Sequence, residues 1–229
     1  MKQIVTVGIV LARINYGEAD RIVTILTPDH GKIRLLARGV RKIKSRLAGG
    51  IELFSINDLT YIKGKGDLHV LISSRLRLNY GNIIKDVNRT MYAYDVLKIV
   101  NKITQDSTES EYFFILSNVL EVLHDSQIKL NYVKLWLAMK LLAISGQSIN
   151  LSLDNTGQRL KLLSTYMFNF DEMAFEVDPE GIFDSRHIKL LRLCEVGDVY
   201  KLSRVKDSSL LIDSLLGLLQ SLTRQNLNF

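Results

Sequence analysis

The stretch "DRIVTILTPDHGKIRLLARGVRKIKSR", Asp20 to Arg46, decides how the first third of the chain is read. It opens with two runs rich in Ile, Val, Thr and Leu, "DRIVTILT" and "KIRLLAR", separated by "TPDHG". Residues of these types suit a pleated, half-buried strand, and Pro, Asp and Gly between them are turn chemistry. The apolar pattern then stops. "ARGVRKIKSR" carries Arg38, Arg41, Lys42, Lys44 and Arg46 with no acid among them, and Gly39 stands where the run begins.

Working outward, three more strand-like runs occur within residues 1–80: "QIVTVGIVLARI", "ELFSINDLTYIK" and "DLHVLISSRLR". "NYGEAD", Gly49–Gly50 and "KGKGD" punctuate them. The start "MKQIVTVGIVLAR" is a first strand rather than a signal peptide, because its apolar run is short and no small-residue cleavage site follows. Five short strands without a helical period predict a small closed barrel. An oligonucleotide-binding (OB) barrel leads, with an SH3-like barrel as the rival, since strand count does not fix topology.

From about Asn82 the period changes to helical. "TMYAYDVLKIVNKIT" is followed by "DSTESEYFFILSNVLEVLHDS", where Thr108 and Glu111 have capping-box spacing and Phe113, Leu116, Leu120 and Leu123 share a face. "LNYVKLWLAMKLLAISG" puts Leu130, Val133, Leu137, Leu141 and Ile144 on one stripe and ends at Gly146. "SRHIKLLRLCEV" and "DSSLLIDSLLGLLQSLTRQ" predict two further helices, the second with Asp207 as N-cap. Residues 151–180 show no clean period and are read as a small irregular insertion. The expected class is therefore α+β and multi-domain, with an OB barrel over 1–80 and a helical domain over 81–229.

The charge is unevenly distributed. Residues 1–80 hold 14 Lys and Arg against 6 Asp and Glu, whereas the remainder holds 16 against 18. The net +6 therefore comes from the first third. Such a localised field points to a polyanion partner. Arg38, Arg41, Lys42, Lys44 and Arg46 are the expected phosphate contacts, extended by Lys32, Arg34, Arg75 and Arg77. The plain alternative is a solvated loop. Tyr16, Phe54, Tyr61 and Tyr80 are the aromatics that could stack on bases, with Phe54 read as core. Trp136 with Leu135 and Met139 is either an apolar groove or ordinary helix packing.

No motif asks for catalysis. "KGKGD" lacks the spacing of a phosphate loop and is read as a hairpin turn. The carboxylate pairs Glu18 and Asp20, and Asp171 and Glu172, read as solvated surface. No nucleophile-elbow signature is present. The single cysteine, Cys194, excludes a disulfide framework and a multi-cysteine zinc site, and fits a reducing, cytoplasmic setting. No run is apolar and long enough to read as a membrane span.

The segment Gly8–Ser55 resembles the start of the RecO family of bacterial DNA repair and recombination mediators. The motifs that carry the resemblance are Gly17-Glu18-Ala19-Asp20-Arg21, Leu26-Thr27 with Gly31, Ala37-Arg38-Gly39 with Arg41, Lys44-Ser45-Arg46, and Leu53-Phe54. The resemblance implies an OB barrel followed by a helical domain, and binding of single- and double-stranded DNA. It further implies annealing of complementary strands, and help in loading RecA onto DNA coated by single-strand-binding protein (SSB). RecR and the acidic SSB C-terminal tail are the implied partners, RecA an indirect one, and the setting is the bacterial cytoplasm at the nucleoid. Neither enzyme activity nor a membrane is implied. The family's insertion often carries a four-cysteine zinc module, but residues 151–180 contain no cysteine, so zinc is expected to be absent. The alternative reading is a sequence-independent RNA- or ribosome-associated OB protein.

Overall fold

A computed structural model describes residues 2–104 and 110–227. Five strands come first: β1 (Gln3–Tyr16), β2 (Asp20–Thr27), β3 (Gly31–Ala37), β4 (Ser55–Ile62) and β5 (Leu68–Asn79). They close in the order β1-β2-β3-β5-β4, with β4 returning to β1. All neighbours are antiparallel except β3 and β5, which run parallel through Arg34–Leu36 against Leu68–Val70. This order is that of an OB barrel, and it settles the choice against the SH3-like rival.

The alternation that made β3 legible also builds the core. Ile33, Leu35 and Ala37 point inward, while Lys32, Arg34 and Leu36 alternate with them. Val10, Val23, Ile25, Leu59, Tyr61 and Leu71 complete the interior. A Cβ at Gly8 would overlap the Ile25 and Leu59 side chains, so only glycine fits there.

The helices are α1 (Val87–Ile103), α2 (Glu111–His124), α3 (Leu130–Ile144), α4 (Ser185–Val196), α5 (Val199–Ser203) and α6 (Ser209–Leu227). Helix α1 begins earlier than its apolar run suggests, because the Asp86 carboxylate accepts the Arg89 amide at 3.0 Å. The buried Arg89 guanidinium in turn donates to the carbonyls of Leu123 (2.9 Å) and Asp125 (3.0 Å), which end α2. Thr108 of the expected capping box lies outside the described residues. The chain divides into two compact units between Ser126 and Gln127. The change of period near residue 80 thus marks the end of the strands, while α1 and α2 belong to the same compact unit as the barrel.

In the second unit, α3 is buried beyond its expected stripe: Tyr132, Leu135, Trp136, Met139 and Leu142 are also inside. Helices α4, α5 and α6 all pack on it, so more than one face is covered. The Trp136 ring Nε1 donates to the Gly197 carbonyl at 3.0 Å, which makes Trp136 a packing residue. Helix α6 starts one residue later than expected. Asp207 has a φ of 53°, and the Ser208 carbonyl accepts the Ile212 amide.

Residues 151–180 are more regular than their sequence suggests. Strands β6 (Asn150–Asp154), β7 (Tyr166–Asn169) and β8 (Ala174–Val177) form a sheet in the order β6-β8-β7. Strands of four and five residues are too short to show a period.

Candidate nucleic-acid interface

The connection from β3 to β4 holds the basic run, and three contacts seat it. Gly39 adopts φ +63°, a left-handed conformation that costs a residue with a Cβ. Its amide donates to the Asp20 carboxylate at 2.7 Å. The Arg41 amide donates to the Ala19 carbonyl at 2.9 Å, and its guanidinium reaches the Gly17 carbonyl at 3.4 Å. The connection therefore rests on the β1–β2 turn, and the "GEADR" and "ARGVR" motifs form one structural unit. Asp20, read from sequence as solvated surface, is the brace of this unit. Its partner is distant in the chain, so no local spacing signals the role.

Apolar side chains pin the same connection from beneath. Val40 and Ile51 are buried in the barrel core, with Leu47 and Leu53 packed against it. Further along, Ser74 of β5 donates to the Gly50 carbonyl. Between these anchors Arg38, Arg41, Lys42, Lys44 and Arg46 are all exposed. None of the five makes an ion pair among the described residues. They form one cluster of free positive charge on a backbone held at both ends.

The flanking residues divide. Arg75 is exposed and directly follows Ser74, the seat of the connection. Arg77 lies two residues on and pairs loosely with Asp58, at 3.7 Å. Arg34 is exposed at the level where β3 meets β5. Lys32 is placed differently: its ammonium donates to the Asn101 carbonyl in the last turn of α1, at 2.6 Å. That bond caps the helix's negative end.

Of the four aromatics, Phe54, Tyr61 and Tyr80 are buried, and their rings cannot meet a base. Phe54 packs edge-on against Tyr94, as a core residue does. Tyr16 is 53% exposed and pairs across the turn with Asp20, so a free ring flanks the basic cluster. "KGKGD" is the β4–β5 turn, as read.

Residues 1–80 match the family described as "Recombination protein O N terminal". That match spans the whole barrel and about a third of the chain. Similarity runs beyond it. The chain is 32% identical over 142 residues to a DNA repair protein RecO of Alkaliphilus metalliredigens, covering 62% of this chain and 57% of that protein. It is 35% identical over 109 residues to the RecO of Halalkalibacterium halodurans, covering 48% and 42%. It is 32% identical over 154 residues to the RecO of Desulfatibacillum aliphaticivorans, covering 66% and 60%. The chain thus matches roughly half the length of these RecO relatives. Among the described residues no helix is long and apolar enough to cross a membrane.

Proposed function

We propose that this chain is a DNA repair and recombination mediator. On this reading it binds single- and double-stranded DNA through phosphate contacts, anneals complementary strands, and with RecR assists RecA loading on SSB-coated DNA. The observation that carries the reading is the braced basic connection on a RecO-type OB barrel: five exposed cations that make no ion pair among the described residues, with one exposed tyrosine beside them. Phosphates carry no direct sequence information, so such a surface suits a protein that must act on any strand. Arg34, Arg75 and Arg77 extend the contact, and Lys32 adds its charge while it holds α1. The test is annealing of complementary strands coated by SSB, with and without RecR. Acceleration over the spontaneous rate is expected. No acceleration in either case, together with tighter binding to RNA than to DNA of the same sequence, would favour the RNA-associated alternative.

The acidic SSB tail ends in an apolar residue, so its receptor needs an apolar cleft with a cation at the rim. A cleft between α3 and α4 supports that placement. Met139, Leu142, Ala143 and Ile149 line it together with Lys140 and Glu195. The Lys140 ammonium donates to the Glu195 carbonyl at 2.6 Å and lies 5.6 Å from the centre of the Trp136 ring. These two contacts hold Lys140 in the cleft lining. Lys140→Glu is expected to weaken binding of a labelled tail peptide by at least about tenfold, the equivalent of about 1.4 kcal/mol. Wild-type affinity in this variant moves the tail site elsewhere, with Lys134, Lys189 and Arg192 among the remaining cations on these helices.

Zinc is left out of the proposal. The segment where the family carries it has no cysteine, and the rings of Tyr166, Phe168, Phe175 and Phe183 occupy its interior. Thiolates supply most of the affinity of structural zinc sites, so these residues do not fit the ion.

A further inference from the structure

The basic connection occupies one end of the barrel. The opposite end holds a second group of cations, which the function above does not use. The pairing of Gln3 with Ile62 brings Lys2 beside Lys63. Lys65 follows in the β4–β5 turn, and His30 stands in the β2–β3 turn at the same end. Lys2, His30 and Lys63 line an open cleft of about 550 Å³ together with Gln3, Ile4 and Ile62. Lys2, Lys63 and Lys65 are exposed, and none makes an ion pair among the described residues.

Aromatic rings adjoin these charges. His69 stacks flat on Tyr61, with centroids 5.4 Å apart and planes 5° from parallel. His30 meets the same tyrosine edge-on at 6.3 Å. Two acids share this end. Asp29 accepts the Thr6 hydroxyl at 3.4 Å, and Asp67 lies in the turn with Lys65. The His69 pKa lies below the ordinary imidazole value, lowered by burial first and then by the Lys63 ammonium, with Asp67 acting in the opposite direction. Cations beside an exposed ring are the combination by which OB barrels hold single strands, with phosphates on the cations and bases against the ring; Tyr61 is buried, and the ring that lines the cleft is His30.

The two ends are well separated. Strand β2 spans the distance with 8 residues, which at about 3.3 Å each sets them roughly 25 Å apart. We infer that the cleft at Lys2, His30 and Lys63 is a second single-stranded DNA site, so that one chain holds two strands at once, one at each end of its barrel. Both sites contact phosphate, so both accept any sequence, and two strands on one barrel are brought within reach of each other.

The experiment counts strands per full-length chain, using an oligothymidine of about six nucleotides, short enough for one barrel face. Wild-type protein is expected to bind two. The variant K2A/K63A/K65A is expected to bind one, and so is R41A/K42A/K44A, while the combined variant binds none at either end. A wild-type count of one overturns the inference, as does a count of two in K2A/K63A/K65A. A count of two in R41A/K42A/K44A, with one in K2A/K63A/K65A, overturns the basic connection as a site and leaves the second site standing. Lys63→Gln with Lys65→Gln keeps most of each side-chain stem and must show the same loss, which guards against an effect through folding.

Discussion

Alanine at Arg41, Lys42 and Lys44 together should weaken single-stranded DNA binding at the basic connection about 40-fold near physiological salt. The figure follows from counterion release. Each phosphate contact on a single strand contributes about 0.7 to the slope of log K against log salt, so three contacts contribute about 2. Carried from 1 M down to about 0.15 M salt, a slope of 2 is a factor of about 40. With four to six contacts in all, the wild-type slope should be about −3 to −4 and the variant's about −1 to −2. The loss should be alike for all sequences. The fold should hold, because the connection is seated by main-chain bonds and apolar side chains. The Arg41 amide still meets Ala19, the Gly39 amide still meets Asp20, and Val40 and Ile51 remain in the core. The variant loses the long 3.4 Å contact of the Arg41 guanidinium with the Gly17 carbonyl, and exposed charges add little to stability. A variant that melts like wild type and keeps the wild-type salt slope would show the connection to be only solvated surface.

That prediction depends on two kinds of information, and only one was legible in the sequence. The strands were readable because a side chain alternates faces at every residue, and β3 displays this plainly between Lys32 and Ala37. The cations were readable as a run. The closure of the barrel was not, since the parallel pairing of β3 with β5 joins segments that no local pattern connects. The brace from Asp20 to Gly39 was hidden for the same reason, although the two motifs stood out separately. Lys32 carries a second role that its charge alone does not show: its ammonium donates to the Asn101 carbonyl, far along the chain. Burial also removed Phe54, Tyr61 and Tyr80 from the stacking residues and left Tyr16. Composition names the residue types that can do the chemistry, and only the folded surface decides which of them are free to do it.

Residues 150–177 provide the second large effect. Phe175→Ala should destabilise the protein by about 3–5 kcal/mol, the usual cost of emptying a buried aromatic site. Phe175 is fully buried. Its ring meets Phe168 at 5.2 Å, Phe183 at 5.7 Å and Tyr166 at 6.2 Å, each at a steep angle favourable to aromatic pairs. Phe183 passes the packing on to His187 of α4 at 5.5 Å, so the sheet and the helix share one cluster. For a chain of this size the melting temperature should fall by about 2–4 °C per kcal/mol, hence by roughly 6–20 °C. A strong chelator added to wild-type protein should leave the melting temperature unchanged, and metal analysis should find no stoichiometric zinc. The two measurements separate two ways of holding a small sheet together. A thiolate zinc site contributes its binding energy directly to folding and loses it when the metal is removed. An aromatic cluster is indifferent to chelator and sensitive to the loss of one ring. A chelator-dependent drop with a mild effect of Phe175→Ala would mean that an ion, held by ligands other than cysteine, stabilises this sheet in place of its rings.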